Sequence, residues 1–354
     1  MAISFWISSK VYKSTPYQIK FVSVIIAARN EERKIIDLLH CLDQQTYPKH
    51  LLEIILINDH SEDKTAKLIT DFKSISELKI RLLNLETRSS TPKKDALRLG
   101  IQNSNADILL FTDADCCMPA TWVGEMIKPF RNNEIQLAIG SIRYEDGNFL
   151  EQLLSQEQAA LLGSGLASLK IGIPTMCNGA NMAIRRSVYD DVNGFETAKK
   201  AASGDDELLL HKVFAQHPKS VAFVRSNGSI VTTDAVTTLK ALFQQRKRWA
   251  GKWEKYLLYR TKAFALFIFL FHVFWISAGI LVCFYTEYLN QFLISLAIKI
   301  VLEFVFITSV MKFLGKRINL LGFGVLQIIY SPYVVFFGLI SRGKNYSWKG
   351  RELN

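Results

Sequence analysis

Through the first two-thirds of the chain, hydrophobic residues fall in short unbroken runs that stop on polar or charged side chains. Phe21–Ala28, Leu52–Ile57, Ile80–Leu85 and Ile108–Phe111 are runs of this kind. Their length and β-branched content suit strands buried on both faces, as in a parallel sheet covered by helices. Helical patterns lie between them: one continuing through Leu42, one opened by Asp63 and Thr65, and one carrying Lys93-Lys94-Asp95-Ala96-Leu97. Strands alternating with helices at this spacing predict an α/β, Rossmann-like, doubly wound sheet, mostly parallel and with right-handed crossovers. Further on, Met182–Arg185 reads as a strand and Glu207–Phe214 as a helix. Phe149–Leu169 is an amphipathic helix for which either the sheet or a membrane surface would serve as support.

The pattern changes toward the C-terminus. Asp234–Arg260 reads as a basic amphipathic helix, with Leu239, Leu242, Trp249, Trp253, Tyr256 and Tyr259 as its apolar side chains, suited to a membrane interface. Phe264–Tyr285 is then continuously apolar and long enough to span a bilayer, and Phe292–Met311 is a second such stretch. Lys299 and Glu303 lie inside the second at a spacing that lets them pair across one helical turn. Leu320–Ile340 is a third apolar stretch, but Gly322, Gly324, Gln327 and Pro332 also suit a segment that bends back. A third full crossing would carry Arg342, Lys344, Lys349 and Arg351 away from Lys312, Lys316 and Arg317. The positive-inside tendency opposes that and favours re-entry.

Charge and composition narrow the partners. The 354 residues include 43 Lys and Arg against 32 Asp and Glu, a formal net charge of +11. The basic residues form no stripe with a recognisable nucleic-acid-binding module, which leaves an anionic membrane face as the better match. The cysteines, Cys41, Cys116, Cys117, Cys177 and Cys283, are odd in number and show no CxxC pair, so they are expected to be reduced, mostly buried thiols. The apolar patch Ile3–Ile7 is too short for a signal-peptide core, and the globular part is expected in the cytoplasm.

The candidate chemistry sits where the apolar runs stop. Arg29, Asn30 and Glu31 follow the first run, Asn58-Asp59-His60-Ser61 the second, and Thr112-Asp113-Ala114-Asp115 the fourth, while Lys93 sits on the helix after the third. Open α/β sheets bind ligands beyond the carboxyl ends of their strands. No GxGxxG follows the first strand, so the usual dinucleotide cradle is missing. Two acids one residue apart at a strand tip can share a hard divalent cation, leaving other coordination positions to phosphate oxygens and water. An isolated pair of this kind also suits a plain strand-to-helix turn.

Taken together, Val22-Ser23-Val24-Ile25-Ile26-Ala27-Ala28-Arg29-Asn30-Glu31, Asn58-Asp59-His60-Ser61-Glu62-Asp63-Lys64-Thr65 and Thr112-Asp113-Ala114-Asp115 resemble the nucleotide-binding half of family 2 glycosyltransferases, which have the GT-A fold. Cys177-Asn178-Gly179-Ala180-Asn181-Met182-Ala183-Ile184-Arg185-Arg186, Gly204-Asp205-Asp206-Glu207-Leu208-Leu209 and Gln244-Gln245-Arg246-Lys247-Arg248-Trp249 follow in the family's order. The resemblance implies a UDP-sugar donor held by Ala28, Arg29, Glu31, Asp59, Lys93 and Asp113, with Mg2+ or Mn2+ on Asp115 and Asp113. Lys94 is an alternative to Lys93 if the alignment is shifted. Asp206 takes the place of the family's catalytic base, with Asp205 as a possible exchange partner, and direct attack by the acceptor would invert the sugar carbon. Asn178 and Gly179, and Gln245, Arg248 and Trp249 of the Q-x-x-R-W pattern, are assigned to the acceptor and diphosphate. The amides of Asn178 to Asn181 are expected to read acceptor hydroxyls, and the membrane-interface role of the helix carrying Trp249 stays open beside this.

The organisation expected is an N-terminal segment (1–20), a catalytic domain (21–233), an interface helix (234–260), a transmembrane region (261–341) and a basic tail (342–354). The closing Trp348-Lys349-Gly350-Arg351 resembles a terminal motif of membrane glycosyltransferases that act on lipids. Two activities fit: transfer of one sugar to a lipid or lipid-linked acceptor, and processive polysaccharide synthesis of the cellulose or hyaluronan type. The second shares the same motifs but needs more membrane helices for a polymer channel, from a homo-oligomer or an accessory membrane subunit. A non-catalytic scaffold would be expected to have lost an acid among Asp59, Asp113, Asp115 and Asp206. The expected location is the cell inner membrane, with several passes and the catalytic domain cytoplasmic.

Overall fold

The computed structural model describes residues 20–86, 91–145, 147–196, 204–340, 346–348 and 351–353. The expected N-terminal segment and most of the basic tail, with Arg342, Lys344 and Lys349, lie outside them. In chain order the first strands are β1 (Val22–Ala28), β2 (Leu52–Asn58), β3 (Lys79–Asn84), β4 (Ile108–Phe111), β5 (Leu137–Ile139) and β6 (Ile142–Tyr144). They are followed by β7 (Met182–Arg185), β8 (Val221–Phe223) and β9 (Val231–Thr233). The helices are α1 (Ile35–Asp43), α2 (Thr65–Lys73), α3 (Pro92–Gln102), α4 (Trp122–Ile127), α5 (Phe149–Lys170), α6 (Arg186–Asp191) and α7 (Asp205–Gln216). After them come α8 (Leu239–Ala250), α9 (Tyr259–Leu281), α10 (Leu289–Phe313) and α11 (Leu320–Ile340).

Among the described residues the chain divides into two units, one built on the sheet (20–143 and 176–234) and one of helices (144–175 and 235–340). The main sheet runs β3-β2-β1-β4-β7-β5-β8, with only β7 antiparallel to its neighbours. Its central strands are buried on both faces, so they read as continuous apolar runs. Val22, Val24 and Ile26 pack with α1 residues such as Leu38 and Leu42 in the core on one side. On the other side α3 lies close to the strands at Gly100, where a Cβ would stand 2.6 Å from Ile25 Cγ2 and 2.7 Å from Ile57 Cδ1.

The register sets the site. Ala28 of β1 lies opposite Asn58 of β2, and Ile25 lies opposite Phe111 of β4. Counted on in the same register, Ala28 is level with Ala114, between the two acids of the fourth strand tip. All three strands therefore deliver their polar residues to one edge.

In the helical unit, α5 packs against α10 and α11. Gly163 permits the approach to α10: a Cβ there would stand 2.6 Å from Phe306 Cζ and 2.8 Å from Val310 Cγ2. The expected single helix over 234–260 is broken. α8 starts at Thr238, whose Oγ1 accepts the Ala241 N–H at 3.2 Å, and ends at Gly251, with a short turn before α9. α9, α10 and α11 are each long and apolar enough to cross a membrane. α11 is continuous through Pro332. Lys299 pairs with Glu303 at 2.9 Å as expected, and Gln327 of α11 joins both through its amide, at 3.0 and 2.9 Å.

One expectation about the cysteines is overturned. Cys41 on α1 and Cys117 beyond β4 are joined by a disulfide, with Cα atoms 5.8 Å apart. The sheet brings together two residues 76 positions apart in the chain, a proximity that cysteine spacing alone does not reveal. Cys116 and Cys177 are buried thiols outside the disulfide, and Cys283 is free and exposed.

Candidate active site

At the tips of β1 and β2 the backbone is locked first. The Asp59 N–H donates to the Ala28 carbonyl at 2.9 Å, and Arg29 Nη1 donates to the carbonyls of Asp59 and His60, both at 2.9 Å. Arg29 is buried, so its guanidinium holds the turn after β2. Asp59 is buried as well, and its Oδ1 lies 3.1 Å from His60 Nδ1. The Glu31 N–H donates to Thr65 Oγ1 at 2.8 Å, tying the β1 tip to the start of α2. These hydrogen bonds fix the corner that carries the Asp59 carboxylate.

The second corner is electrostatic. Lys93 Nζ lies 2.5 Å from Asp113 Oδ1, while its neighbour Lys94 turns the other way and pairs with Asp205 at 3.0 Å. Consecutive residues on a helix point about 100° apart, so the lysines divide between two acidic motifs. Lys93, not Lys94, is the lysine at the Asp-x-Asp. Burial works against the Lys93 charge, but Asp113, Asp206 and Asp115 together outweigh it and raise its pKa. Asp115 is pushed up by burial and by Asp113, with Lys93 as a partial offset. Burial and both acids push the Cys116 thiol well above its ordinary range, which makes it a poor nucleophile.

Asp206 stands at the first turn of α7. Its Oδ2 accepts the Gly179 N–H and its Oδ1 the Glu207 N–H, each at 2.9 Å. The side chain is thus oriented from two segments, and Lys93 is close enough to feel its charge. Asp205 has its carboxyl raised by burial, against the pull of Lys94. Gly204 precedes them at φ 90, a left-handed conformation that glycine adopts without strain.

The acceptor-side expectations divide. Asn178 Oδ1 accepts the Ala180 N–H at 3.0 Å, and Gly179 lies against Asp206. Asn181, expected to read hydroxyls, is fully buried and occupied by the fold. Its Nδ2 donates to the Ser141 and Ser229 carbonyls at 2.7 and 2.8 Å, and its Oδ1 accepts from Trp122 Nε1 at 2.9 Å. An asparagine preceding a strand carries no sequence mark distinguishing these roles.

Gln245, Arg248 and Trp249 lie on α8, in the helical unit. What the sequence missed there is Arg246. Its Nη2 donates to Glu157 Oε2 at 2.6 Å, its Nε to Tyr333 Oη at 2.5 Å and its Nη1 to Gln245 Oε1 at 2.7 Å. The guanidinium also lies 4.1 Å from the Trp249 ring centroid, within cation–π range. Two members of the Q-x-x-R-W pattern are therefore fixed by the residue between them.

The donor set suits a divalent cation. Asp113 and Asp115 stand one residue apart beyond β4, with Lys93 paired to Asp113 at 2.5 Å. Among the described residues no three metal-binding side chains converge. Two carboxylates of this chain would leave the remaining positions to donor phosphates and water, as a hard cation tolerates.

The family model for glycosyl transferase family 2 matches residues 23–192, and that for glycosyl transferase family group 2 matches residues 108–315. A probable glycosyltransferase of Bacillus subtilis, YdaM, is 27% identical over 88% of this chain and 79% of its own length. A beta-monoglucosyldiacylglycerol synthase of Trichormus variabilis is 26% identical over 68% of this chain and 50% of its own. A poly-beta-1,6-N-acetyl-D-glucosamine synthase of Staphylococcus epidermidis is 26% identical over 74% and 63%. The chain thus spans between half and two-thirds of the length of these last two. The mannosyltransferase PcManGT from Pyrobaculum calidifontis, solved with GDP-Man and Mn2+, superposes with a TM-score of 0.55 at 18% identity, over 71% of this chain and 66% of that one, a likeness of GT-A fold. The second family model takes in more than half of the chain, and this membrane protein belongs to the family 2 glycosyltransferases.

Proposed function

We propose that the protein transfers a sugar from a UDP-sugar to a hydroxyl of a lipid or lipid-linked acceptor, inverting the anomeric carbon, with Mg2+ or Mn2+ held by Asp115 and Asp113. The observation that carries this is the gathering of Lys93, Asp113, Asp115 and Asp206 at the carboxyl edge of one sheet, close enough for Lys93 to respond to all three acids. Asp59, buried at the neighbouring strand tip, is assigned to the uridine. The bound cation would stabilise charge growing on the departing diphosphate. Lys93 adds a positive charge from this chain. The acceptor oxygen forms its bond to the anomeric carbon as the bond to the diphosphate breaks, its electrons leave with UDP, and the hydroxyl proton goes to Asp206. Gln245, Arg248 and Trp249 are assigned, by motif, to acceptor and diphosphate.

A lipid acceptor is supported by the three apolar helices and by the name of the Trichormus relative. The Staphylococcus relative supports the alternative, a processive polysaccharide synthase. That reading calls for additional membrane helices from a homo-oligomer or accessory subunit. We place the chain in the cell inner membrane with several passes and the catalytic domain cytoplasmic: residues 282–288 carry no Lys or Arg, whereas Lys312, Lys316 and Arg317 follow the next apolar helix. Asp206→Asn tests the mechanism. UDP-sugar affinity should stay within about twofold while transfer falls by roughly 10^2 to 10^4; retained turnover would remove Asp206 from the base role.

A further inference from the structure

Two adjacent lysines open α3, and each meets a different acidic motif. Lys93 reaches Asp113 beyond β4, and Lys94 reaches Asp205 on the first turn of α7. α3 is a fixed support for both. Pro92 sets its first turn, and Gly100 lets it lie close against Ile25 of β1 and Ile57 of β2. Lys94 is buried and Asp205 nearly so. A buried ion pair gives little net stability over an apolar pair of the same volume, whereas its geometry couples the two helices that carry it. Asp206, the next residue along, has both oxygens directed elsewhere, to the N–H groups of Gly179 and Glu207.

We infer that the Lys94–Asp205 pair is a positioning device that sets the distance between Asp206 and the Asp113/Asp115 pair, and that Asp205 takes no proton from the acceptor. α3 acts as the gauge between donor and acceptor chemistry: one lysine registers the carboxylates of the diphosphate side, the other registers the helix that presents the base. Asp205 and Asp206 are consecutive on α7 and face different partners, which is why one can anchor while the other reacts. This inference rests on the proposed role of Asp206.

The test uses the full-length protein in nanodiscs with Mn2+, a UDP-sugar that supports turnover and a lipid extract as acceptor. Lys94→Met, Asp205→Asn, the double variant and Asp205→Glu are compared with Asp206→Asn, reading donor Kd, acceptor KM and kcat separately. Lys94→Met and Asp205→Asn are each expected to lower kcat by about tenfold or more, since misplacement of a reacting group by about 1 Å is enough for such a loss, with donor Kd within twofold. The double variant should be no slower than either single one, and Asp205→Glu, which keeps the charge, should recover most of the rate. A wild-type rate for Lys94→Met, or an Asp205→Glu as slow as Asp205→Asn, overturns the inference. If Asp205→Asn is inactive while Lys94→Met and Asp206→Asn turn over, Asp205 is the base and the role assigned to Asp206 fails with it. If only Asp206→Asn is inactive, the base assignment stands and the positioning role is refuted.

Discussion

At Asp115, burial and charge act against the ionised form that the proposed metal-holding role requires. Its carboxyl is raised because burial and the Asp113 charge both penalise ionisation, with only Lys93 opposing them. An acid of this kind costs stability when ionised, and a divalent cation would remove the cost. Asp115→Asn keeps the side-chain volume and deletes one of the two like charges. It should raise the melting temperature of the metal-free protein while abolishing divalent-dependent UDP binding. A lowered melting temperature together with intact metal-dependent binding would contradict both halves of this account. At this scale the placing of Asp59, Asp113 and Asp115 just beyond strands was legible in the sequence, because each follows an apolar run that forms a strand. The choice between Lys93 and Lys94 was not legible, since it depends on which way consecutive residues of α3 face. Nor was the role of Asn181, whose amide serves three partners from Ser141, Ser229 and Trp122. The disulfide between Cys41 and Cys117 likewise needed the fold.

Among the elements, the strands and most helices followed from period and composition because a doubly wound sheet leaves a distinct apolar signature on each central strand. The amphipathic segments were harder. The polar face of α5 holds buried Gln156, Glu157 and Gln158, which reads as a solvated face until the helices around it are known. The basic run after Asp234 reads as one helix, yet it breaks at Gly251. Arg246 ties α8 to its neighbours: Glu157 of α5 and Tyr333 of α11 hold its guanidinium, which in turn contacts Gln245 and Trp249. Removing one partner of such a buried pair strands the other charge, at about 3–5 kcal/mol. Glu157→Gln should therefore lower thermal stability by that order in nanodiscs, and Glu157→Gln with Arg246→Met should recover part of it. A full-stability Glu157→Gln, or a strictly additive double variant, would show that the pair does not hold α8.

For the molecule as a whole, the C-terminal helices decide where the chemistry takes place. Cys283, at the end of α9, is free and exposed and lies in the stretch without basic residues. It is a natural reporter of topology. A membrane-impermeant maleimide should label it in intact cells expressing the protein, and Cys283→Ser should lose that label. Labelling of Cys283 only after the cells are opened would reverse the proposed orientation.

The acceptor is the most direct test of the whole account. Full-length protein in lipid nanodiscs with Mn2+ would be given labelled UDP-sugars one at a time together with a lipid extract of the host, and the products separated by organic extraction and by size. The account predicts label from one donor in a small, organic-soluble product, lost on chelation of the metal and in Asp206→Asn. A long water-soluble polymer would contradict the lipid acceptor and favour the processive synthase, and no transfer from any UDP-sugar would contradict the donor assignment.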